Sequence, residues 1–386
     1  MTWDIVNADC VAWLREQARI GMQVDAVICD PPYHLASIAK RFGAASAAPA
    51  KYGRDGAAGR LSRGFMGSPT DSGDISFQAA TWQAVLGVMA PGARMAAFGG
   101  TRTFWKLAAA IDAAGFEIED TILWVYGQGL VLRRSRLKPC WEPILICRAP
   151  GPVQDLGIED CRVPSLGGHF REGEDSQDRR TNFAAIPGPR GGNPAGRWPG
   201  NLIHDGSQAV LDCFPDAPGQ LAAARTDGTV KQAKVYGKMN HVRSSDPQPR
   251  VDSGSAARFF TCCEFSEEER RLLYQAKAPS GDRMFFCTLC KTHFRGNGSR
   301  AEHLHEQKDW SHITGHPTVK PVSLLRHLVK LLCRPSGLVL DPFCGSATTI
   351  EAAVLEGRDA IGIELDIGHA VSCEARMQGL TGRTSP

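Results

Sequence analysis

Gly337-Leu338-Val339-Leu340-Asp341-Pro342-Phe343-Cys344-Gly345-Ser346-Ala347-Thr348-Thr349 is the stretch whose reading decides the fold. A short apolar strand runs into an acid, a proline and a glycine turn. A helix then extends from about Thr349 to Glu356, and the strand Ala360-Ile361-Gly362-Ile363 ends at Glu364. Strand, glycine turn, helix, strand and acid, in that order, make up half of a nucleotide-cofactor site, where the final acid accepts hydrogen bonds from ribose hydroxyls. Gly345 is the only glycine of the turn, so the G-x-G-x-x-G cradle for a pyrophosphate is absent and a nucleoside cofactor without bridging phosphates fits better. The bland alternative is an ordinary α/β strand-to-helix loop.

Near the other end of the chain, the apolar run Asp25-Ala26-Val27-Ile28-Cys29 stops at Asp30-Pro31-Pro32-Tyr33. Proline has no N–H to give a ladder and fixes φ, so the strand halts there and the chain presents the side chains of the tetrad. The Asp30 carboxylate and the Pro31 carbonyl are acceptors, Pro32 adds no donor, and Tyr33 offers a face on which a base stacks. The exocyclic amine of adenine or cytosine is a poor nucleophile because its lone pair is delocalised into the ring. Two acceptors holding its hydrogens free that lone pair to attack an electrophile, and among nucleoside cofactors S-adenosylmethionine carries an electrophilic methyl. The competing reading is a plain turn after a strand.

Between these motifs, residues 4 to 150 alternate strands with helices, which implies a mainly parallel sheet covered on both faces. Strands are expected at 4–7, 25–29, 94–100, 116–126 and 143–147, and helices at 10–19, 82–89 and 103–114, with Pro91-Gly92 read as a turn. The stretch 34–73 is rich in Gly, Ala and Ser, and between 40 and 63 it sets Lys40, Arg41, Lys51, Arg54, Arg60 and Arg63 against the single acid Asp55. It reads as a loop, either a solvated lid or a phosphate-contacting segment. A second basic run spans Arg133 to Lys138. From 149 to about 252 periodicity disappears, Gly, Pro, Asn and Arg dominate, and the positive charge at Arg225, Lys231, Lys234, Lys238 and Arg243 suits a polynucleotide-reading module. Cys287-x-x-Cys290 with His303, His305 and His312 downstream has the outline of a small structural zinc knuckle, the fourth ligand being either of the last two histidines. Two reduced cysteines in a hairpin are its alternative.

At 386 residues the chain has room for two or three domains, or for one α/β domain with insertions. Most of the thirteen cysteines, which lack the dense spacing of a secreted disulfide scaffold, are expected to be reduced core thiols. No apolar run approaches the roughly 18 residues of a membrane helix, and the start Met1-Thr2-Trp3-Asp4 lacks a signal pattern, so a soluble cytoplasmic protein is expected. A net charge of +3 does not by itself announce a nucleic-acid binder.

With both ends in hand, the sequence resembles an amino-group DNA methyltransferase of the β arrangement. The match rests on Asp30-Pro31-Pro32-Tyr33, on His316-Pro317-Thr318-Val319-Lys320-Pro321, and on Asp341 to Ser346 with Glu364. Asn7-Ala8-Asp9-Cys10 is similar to the family's Gly-Asp-Cys segment, with Ala8 in place of glycine, and Ala347 likewise stands where the family more often has glycine. Related phage and prophage methylases carry a segment similar to Arg197-Trp198-Pro199-Gly200-Asn201.

The resemblance implies a Rossmann-like α/β fold of the S-adenosylmethionine-dependent methyltransferases: a seven-stranded, mainly parallel sheet in which the strand Leu338 to Leu340 lies beside the strand Asp25 to Cys29. It divides the chain into a catalytic half (1–150), a target-recognition insertion (151–280), the knuckle (281–315) and a cofactor half (316–386). Catalysis falls to Asp30, Pro31, Pro32 and Tyr33. Cofactor binding falls to Asp9, Asp30, Lys320, Asp341, Phe343, Gly345, Ser346, Thr348 and Glu364, with Asp9 on the adenine, Glu364 on the ribose and Lys320 near the methionine end. The implied reaction moves a methyl group from S-adenosylmethionine to N6 of adenine in double-stranded DNA after base flipping, with N4 of cytosine as the alternative. A non-catalytic DNA-binding homologue and an RNA or protein-glutamine methyltransferase are further readings. The family's tendency to form homodimers comes with the resemblance.

Overall fold

Near-continuous burial along the central strands sets the architecture. In the strand β2 (Val24–Cys29), Val24, Ala26, Val27, Ile28 and Cys29 are all fully buried, which a strand covered on one face only does not show. The computed structural model describes residues 1–33, 74–127, 137–164, 195–217, 253–266, 284–287, 293–295, 310–313 and 320–383. By contact density the chain divides into two units, one comprising residues 1–160, 201–207 and 262–386, the other residues 161–200 and 208–261.

The larger unit is built on a twisted sheet. Besides β2 it holds β1 (Trp3–Asn7), β3 (Met89–Phe98), β4 (Glu117–Val125), β5 (Trp141–Arg148) and β6 (Leu202–His204). After the short pairs β7 (Asp216–Ala217) and β8 (Gly254–Ser255), and the strand β9 (Thr261–Cys262), come β10 (Met284–Cys287), β11 (His293–Arg295), β12 (Trp310–Ile313), β13 (Leu338–Asp341) and β14 (Asp359–Glu364). Nine described strands form the main sheet in the order β1-β14-β13-β2-β3-β5-β4-β6-β9. The first five are mutually parallel and β5 alone runs antiparallel to both its neighbours. The expected seven strands are β1, β14, β13, β2, β3, β5 and β4. The short β6 and β9 extend that sheet beyond β4, β6 running parallel to it.

The described helices are α1 (Cys10–Arg19), α2 (Ala79–Leu86), α3 (Phe104–Ala113), α4 (Gln208–Leu211), α5 (Val322–Leu332), α6 (Thr348–Leu355) and α7 (Ile367–Arg383). Val27, Cys29, Met95 and Ala97 share one buried cluster with Leu14, Trp82 and Ile111 of α1, α2 and α3. Ala26, Ile28, Ala96 and Phe98 are equally buried but lie outside that cluster, as the period of two requires, and α5 packs against β2 and β3. The leucines expected on one face of α5, Leu324, Leu325, Leu328, Leu331 and Leu332, are all buried.

The largest departure from the sequence expectation is at the start of β3. The strand begins at Met89, five residues before the expected start at Arg94, and Pro91-Gly92 lies inside it. Val24 pairs with Met89 but Ala26 pairs with Arg94, so residues 90–93 form an irregularity in the ladder. Proline costs no ladder bond there. Gly92, at φ +77°, lies so close to the Pro152 carbonyl that a Cβ would stand 2.0 Å from its oxygen.

The second unit carries a bridge between Val163 and Arg197 and the antiparallel pair β7–β8. Arg197 and Arg258 lie over the Phe259 ring, at 4.7 and 4.3 Å from its centroid. In the segment expected to be a knuckle, β10 is the centre of a three-stranded antiparallel sheet with β11 and β12. Among the described residues Cys140, Cys213 and Cys262 are exposed, whereas Cys10, Cys29, Cys147, Cys333, Cys344 and Cys373 are buried. No helix among the described residues is long and apolar enough to cross a membrane.

Candidate active site

Because β1, β14, β13, β2 and β3 are parallel, their carboxyl ends form one edge, and each ends in a residue of interest: Asn7, Glu364, Asp341, Cys29 just before Asp30, and Phe98 just before Gly99. Two sequence motifs at opposite ends of the chain meet there because β13 lies beside β2, with Val339 opposite Ala26 and Leu340 opposite Val27. The other end of this pairing is fixed by Asp25, which accepts from Arg334 Nε at 2.7 Å and from the Leu338 amide at 2.8 Å. Open α/β sheets bind ligands at such carboxyl edges, near the point where strand order reverses.

On the β2 side, Lys320, buried just before α5, donates to Asp30 Oδ2 at 2.5 Å and lies 3.3 Å from Glu142 Oε2. Asp30 Oδ1 is buried and has no hydrogen-bond partner among the described residues. Burial opposes the charge on Lys320, but Asp30 and Glu142 outweigh it and hold the ammonium above its ordinary pKa. The Tyr33 hydroxyl donates to Glu142 Oε2 at 3.1 Å, and the Tyr126 hydroxyl donates to Oε1 at 3.3 Å. Burial first, and then the carboxylates of Asp30 and Glu142, push the Tyr33 phenol well above its ordinary value. The segment Pro31–Tyr33 is pinned as well: Ser76 Oγ donates to the Pro32 carbonyl at 2.6 Å and Thr103 Oγ1 to the Tyr33 carbonyl at 3.1 Å.

On the β13 side, the turn after Asp341 places Gly345 at φ +56° and Ala347 at φ +60°, both left-handed, before α6 begins. The glycine that the family more often has at position 347 thus reflects a real backbone requirement, met here by alanine at about 1–2 kcal/mol. Glu364 is buried and oriented by two amides, Gly345 N–H at 2.9 Å on Oε2 and Asp366 N–H at 2.9 Å on Oε1. His369 Nδ1 stands 3.8 Å from Oε1, while Oε2 accepts from the Gly345 amide with a second lone pair to offer, so the acid fits the ribose-accepting role. Ser346 Oγ and Thr348 Oγ1 are 2.9 Å apart and bond each other, while Arg376 donates to the Ser346 carbonyl at 2.9 Å. Phe343 is half-buried, its ring 6.2 Å from that of Trp82. Asp341 accepts from the Phe343 amide at 3.0 Å, and burial raises its pKa from 3.8 to about 7. Asp9 caps α1, accepting from the Ala12 amide at 2.8 Å through Oδ1. It comes just after β1, the neighbour of Glu364's strand, and Asn7 donates to the Glu364 carbonyl at 2.9 Å.

The structure therefore brings Asp30, Pro31, Pro32, Tyr33 and Lys320 together on one side and Asp341, Phe343, Gly345, Ser346, Thr348 and Glu364 on the other, along one sheet edge. Lys320, expected near the methionine end of a cofactor, stands on the Asp30 carboxylate. Sequence reasoning missed Glu142, Tyr126, Ser76 and Thr103. Glu142 had one signal, an acid set between Trp141 and the uncharged run Pro143 to Cys147.

Of the expected zinc ligands, Cys290, His303 and His305 lie outside the described residues. Cys287 pairs with Trp310 and Phe285 with His312 on adjacent strands. Among the described residues no group of three or more His, Cys, Asp or Glu is placed to hold a metal ion, so the expected zinc site finds no support there. The basic stretch 40–63 and Arg133 to Arg136 lie outside the described residues as well, as do Arg225, Lys231, Lys234, Lys238 and Arg243.

A family model described as DNA methylase, of the N6/N4 type, matches residues 24–372. Among curated proteins, DNA adenine methyltransferase YhdJ of Escherichia coli K12 is 47% identical over 51 residues, 13% of this chain and 17% of that protein. Type II methyltransferase M2.MboI of Moraxella bovis is 32% identical over 152 residues, 37% of this chain and 50% of that protein. The matching stretches thus span half or less of these relatives. Among solved structures, the cytosine-N4-specific PvuII DNA methyltransferase aligns over 99% of this chain and 92% of its own at 12% identity and a TM-score of 0.44.

Proposed function

The chain belongs to the N6/N4 DNA methylase family, and from that premise we propose that it transfers a methyl group from S-adenosylmethionine to the exocyclic N6 amine of adenine in double-stranded DNA. The observation that carries this reading is Asp30: one carboxylate oxygen is taken by Lys320, and the other is buried without a partner among the described residues. A buried acceptor in that state costs about 1–3 kcal/mol, a cost that an entering amine hydrogen removes.

The target base leaves the duplex at a cost of a few kcal/mol and stacks on Tyr33. Asp30 Oδ1 and the Pro31 carbonyl hold its two amine hydrogens, so the nitrogen lone pair turns out of the ring plane. S-adenosylmethionine, when bound, supplies the electrophilic methyl on its sulfonium. Glu364 would hold the ribose, Asp9 the adenine, and Phe343, Gly345, Ser346 and Thr348 the walls of the cofactor turn. The amine proton is lost after transfer.

Adenine is preferred over cytosine because Asp-Pro-Pro-Tyr is the commoner tetrad in the N6 branch of the family and because the adenine enzyme YhdJ is among the relatives. Digesting treated DNA to nucleosides and identifying the modified one by mass spectrometry tests this. N6-methyladenine is expected, and N4-methylcytosine would move the assignment to the other branch. Offering RNA beside DNA in a tritium-transfer assay separates polynucleotide classes, and no transfer to either would leave a DNA-binding homologue or a protein-glutamine methyltransferase.

A further inference from the structure

Glu142 belongs to neither sequence motif, yet on the β2 side of the site it contacts both Tyr33 and Lys320. It is the second residue of β5, the antiparallel strand, so it stands at the carboxyl edge of the parallel strands, opposite Trp124 of β4. The Gly99 amide, just past β3, donates to the Pro143 carbonyl at 2.9 Å and fixes that end of the strand. From there one Glu142 oxygen accepts from Tyr33 and lies near Lys320, and the other accepts from Tyr126.

We infer that Glu142 is a positioning residue for base methylation, drawing Lys320 to Oδ2 of Asp30 and tethering the Tyr33 ring by its hydroxyl, so that Oδ1 is left to the target amine. This rests on the proposed amino-group methylation. The first effect is on the ammonium. With Asp30 as its sole carboxylate, Lys320 would centre between both Asp30 oxygens and compete with the substrate. A second carboxylate 3.3 Å away draws it to one side, and the shorter contact, 2.5 Å, is indeed to Oδ2 alone. The second effect is on the ring. Thr103 holds the Tyr33 carbonyl, Gly100 leaves so little room that a Cβ would stand 3.1 Å from Tyr33 Cδ2, and Glu142 holds the hydroxyl. A stacking platform held at three points presents a fixed plane to the base. Two carboxylates against one ammonium also leave one negative charge beside an amine that is cationic from methyl transfer until its proton departs.

Glu142→Gln keeps the shape and one acceptor but removes the charge. Its kcat for tritium transfer from S-adenosylmethionine to unmethylated DNA is expected to fall about 10- to 100-fold, with KM for the cofactor within about twofold of wild type. Ultraviolet titration of the phenols, with Tyr33→Phe and Tyr126→Phe as assignments, should show Tyr33 titrating at lower pH in Glu142→Gln. In a Tyr33→Phe background the kcat cost of Glu142→Gln should shrink, because one of its two routes is already cut. An unchanged kcat in Glu142→Gln overturns the inference, and an undiminished cost in the Tyr33→Phe background overturns the effect on the ring. If Glu142→Gln does not fold, Tyr33→Phe alone, which keeps the ring and removes the hydroxyl that Glu142 holds, must still lower kcat. If the wild type methylates no DNA, the functional reading fails, whereas the Tyr33 titration still supports the tether if it moves and overturns it if it does not.

Discussion

Lys320 shows how one side chain ties stability to the site. It is buried against Asp30 and Glu142, and removing one partner from such a group strands the others without compensation. Lys320→Met should destabilise the protein by about 2–4 kcal/mol, below the full buried-pair range because Asp30 and Glu142 keep some exposure, and chemical denaturation reads this directly. The linkage sign comes from its raised pKa: the stabilisation is complete below the ordinary value of 10.5 and is lost as pH rises through the higher folded value, so Lys320→Met should flatten the alkaline limb of the stability curve. Asp30, Tyr33, Gly345 and Glu364 were legible in the sequence because each sits in a local pattern whose chemistry needs it. Glu142 was not, because its partners Tyr33 and Lys320 reach it only through the strand order β2-β3-β5, which no local spacing encodes.

At the scale of elements, the cofactor turn and β14 are built as one piece. Gly362 faces Cys344 so closely that an added Cβ would stand 2.5 Å from its Sγ and 3.1 Å from its Cβ. Gly362→Ala should therefore cost about 1–3 kcal/mol and weaken S-adenosylmethionine binding by displacing the turn, as thermal melting and calorimetric titration would show. Cys344→Ala in the same chain removes the clashing sulfur and should restore much of both. Unimpaired cofactor binding in Gly362→Ala would mean that the turn shifts without consequence. The turn and both its strands were readable because their apolar runs are short and bounded. The start of β3 was not, since Pro91 and Gly92 carry the signature of a turn while the ladder absorbs them as an irregularity. β6 was hidden differently: three residues of strand inside a glycine- and proline-rich stretch have no period to detect, and only their pairing with β4 makes them a strand.

Across the whole molecule, two buried groups set opposing acid responses. Burial, and then Lys330, lower the pKa of His327 from 6.5 to about 4, so the unfolded chain binds the extra proton between those values and stability falls as pH drops through that window. Asp341, raised from 3.8 to about 7, does the reverse: the folded state holds the extra proton, and its contribution weakens as pH rises. Each is worth on the order of 3 kcal/mol. Asp341→Asn should leave the His327 response exposed, so that stability rises more steeply with pH between about 4 and 6.5 than in wild type. His327→Leu should tilt the curve the other way, and urea midpoints across that range measure both. The overall α/β order was legible from alternating patterns, and the adjacency of β13 and β2 came from the resemblance rather than from any residue spacing.

Asp30 as the amine acceptor is the central claim on which the proposed chemistry stands. The most direct test treats unmethylated DNA with wild type and with Asp30→Ala in S-adenosylmethionine, digests it to nucleosides for mass spectrometry, and measures cofactor affinity of both proteins by calorimetry. The predicted result is N6-methyladenine from wild type and none from Asp30→Ala, with cofactor affinity little changed. Equal methylation by the variant would contradict it.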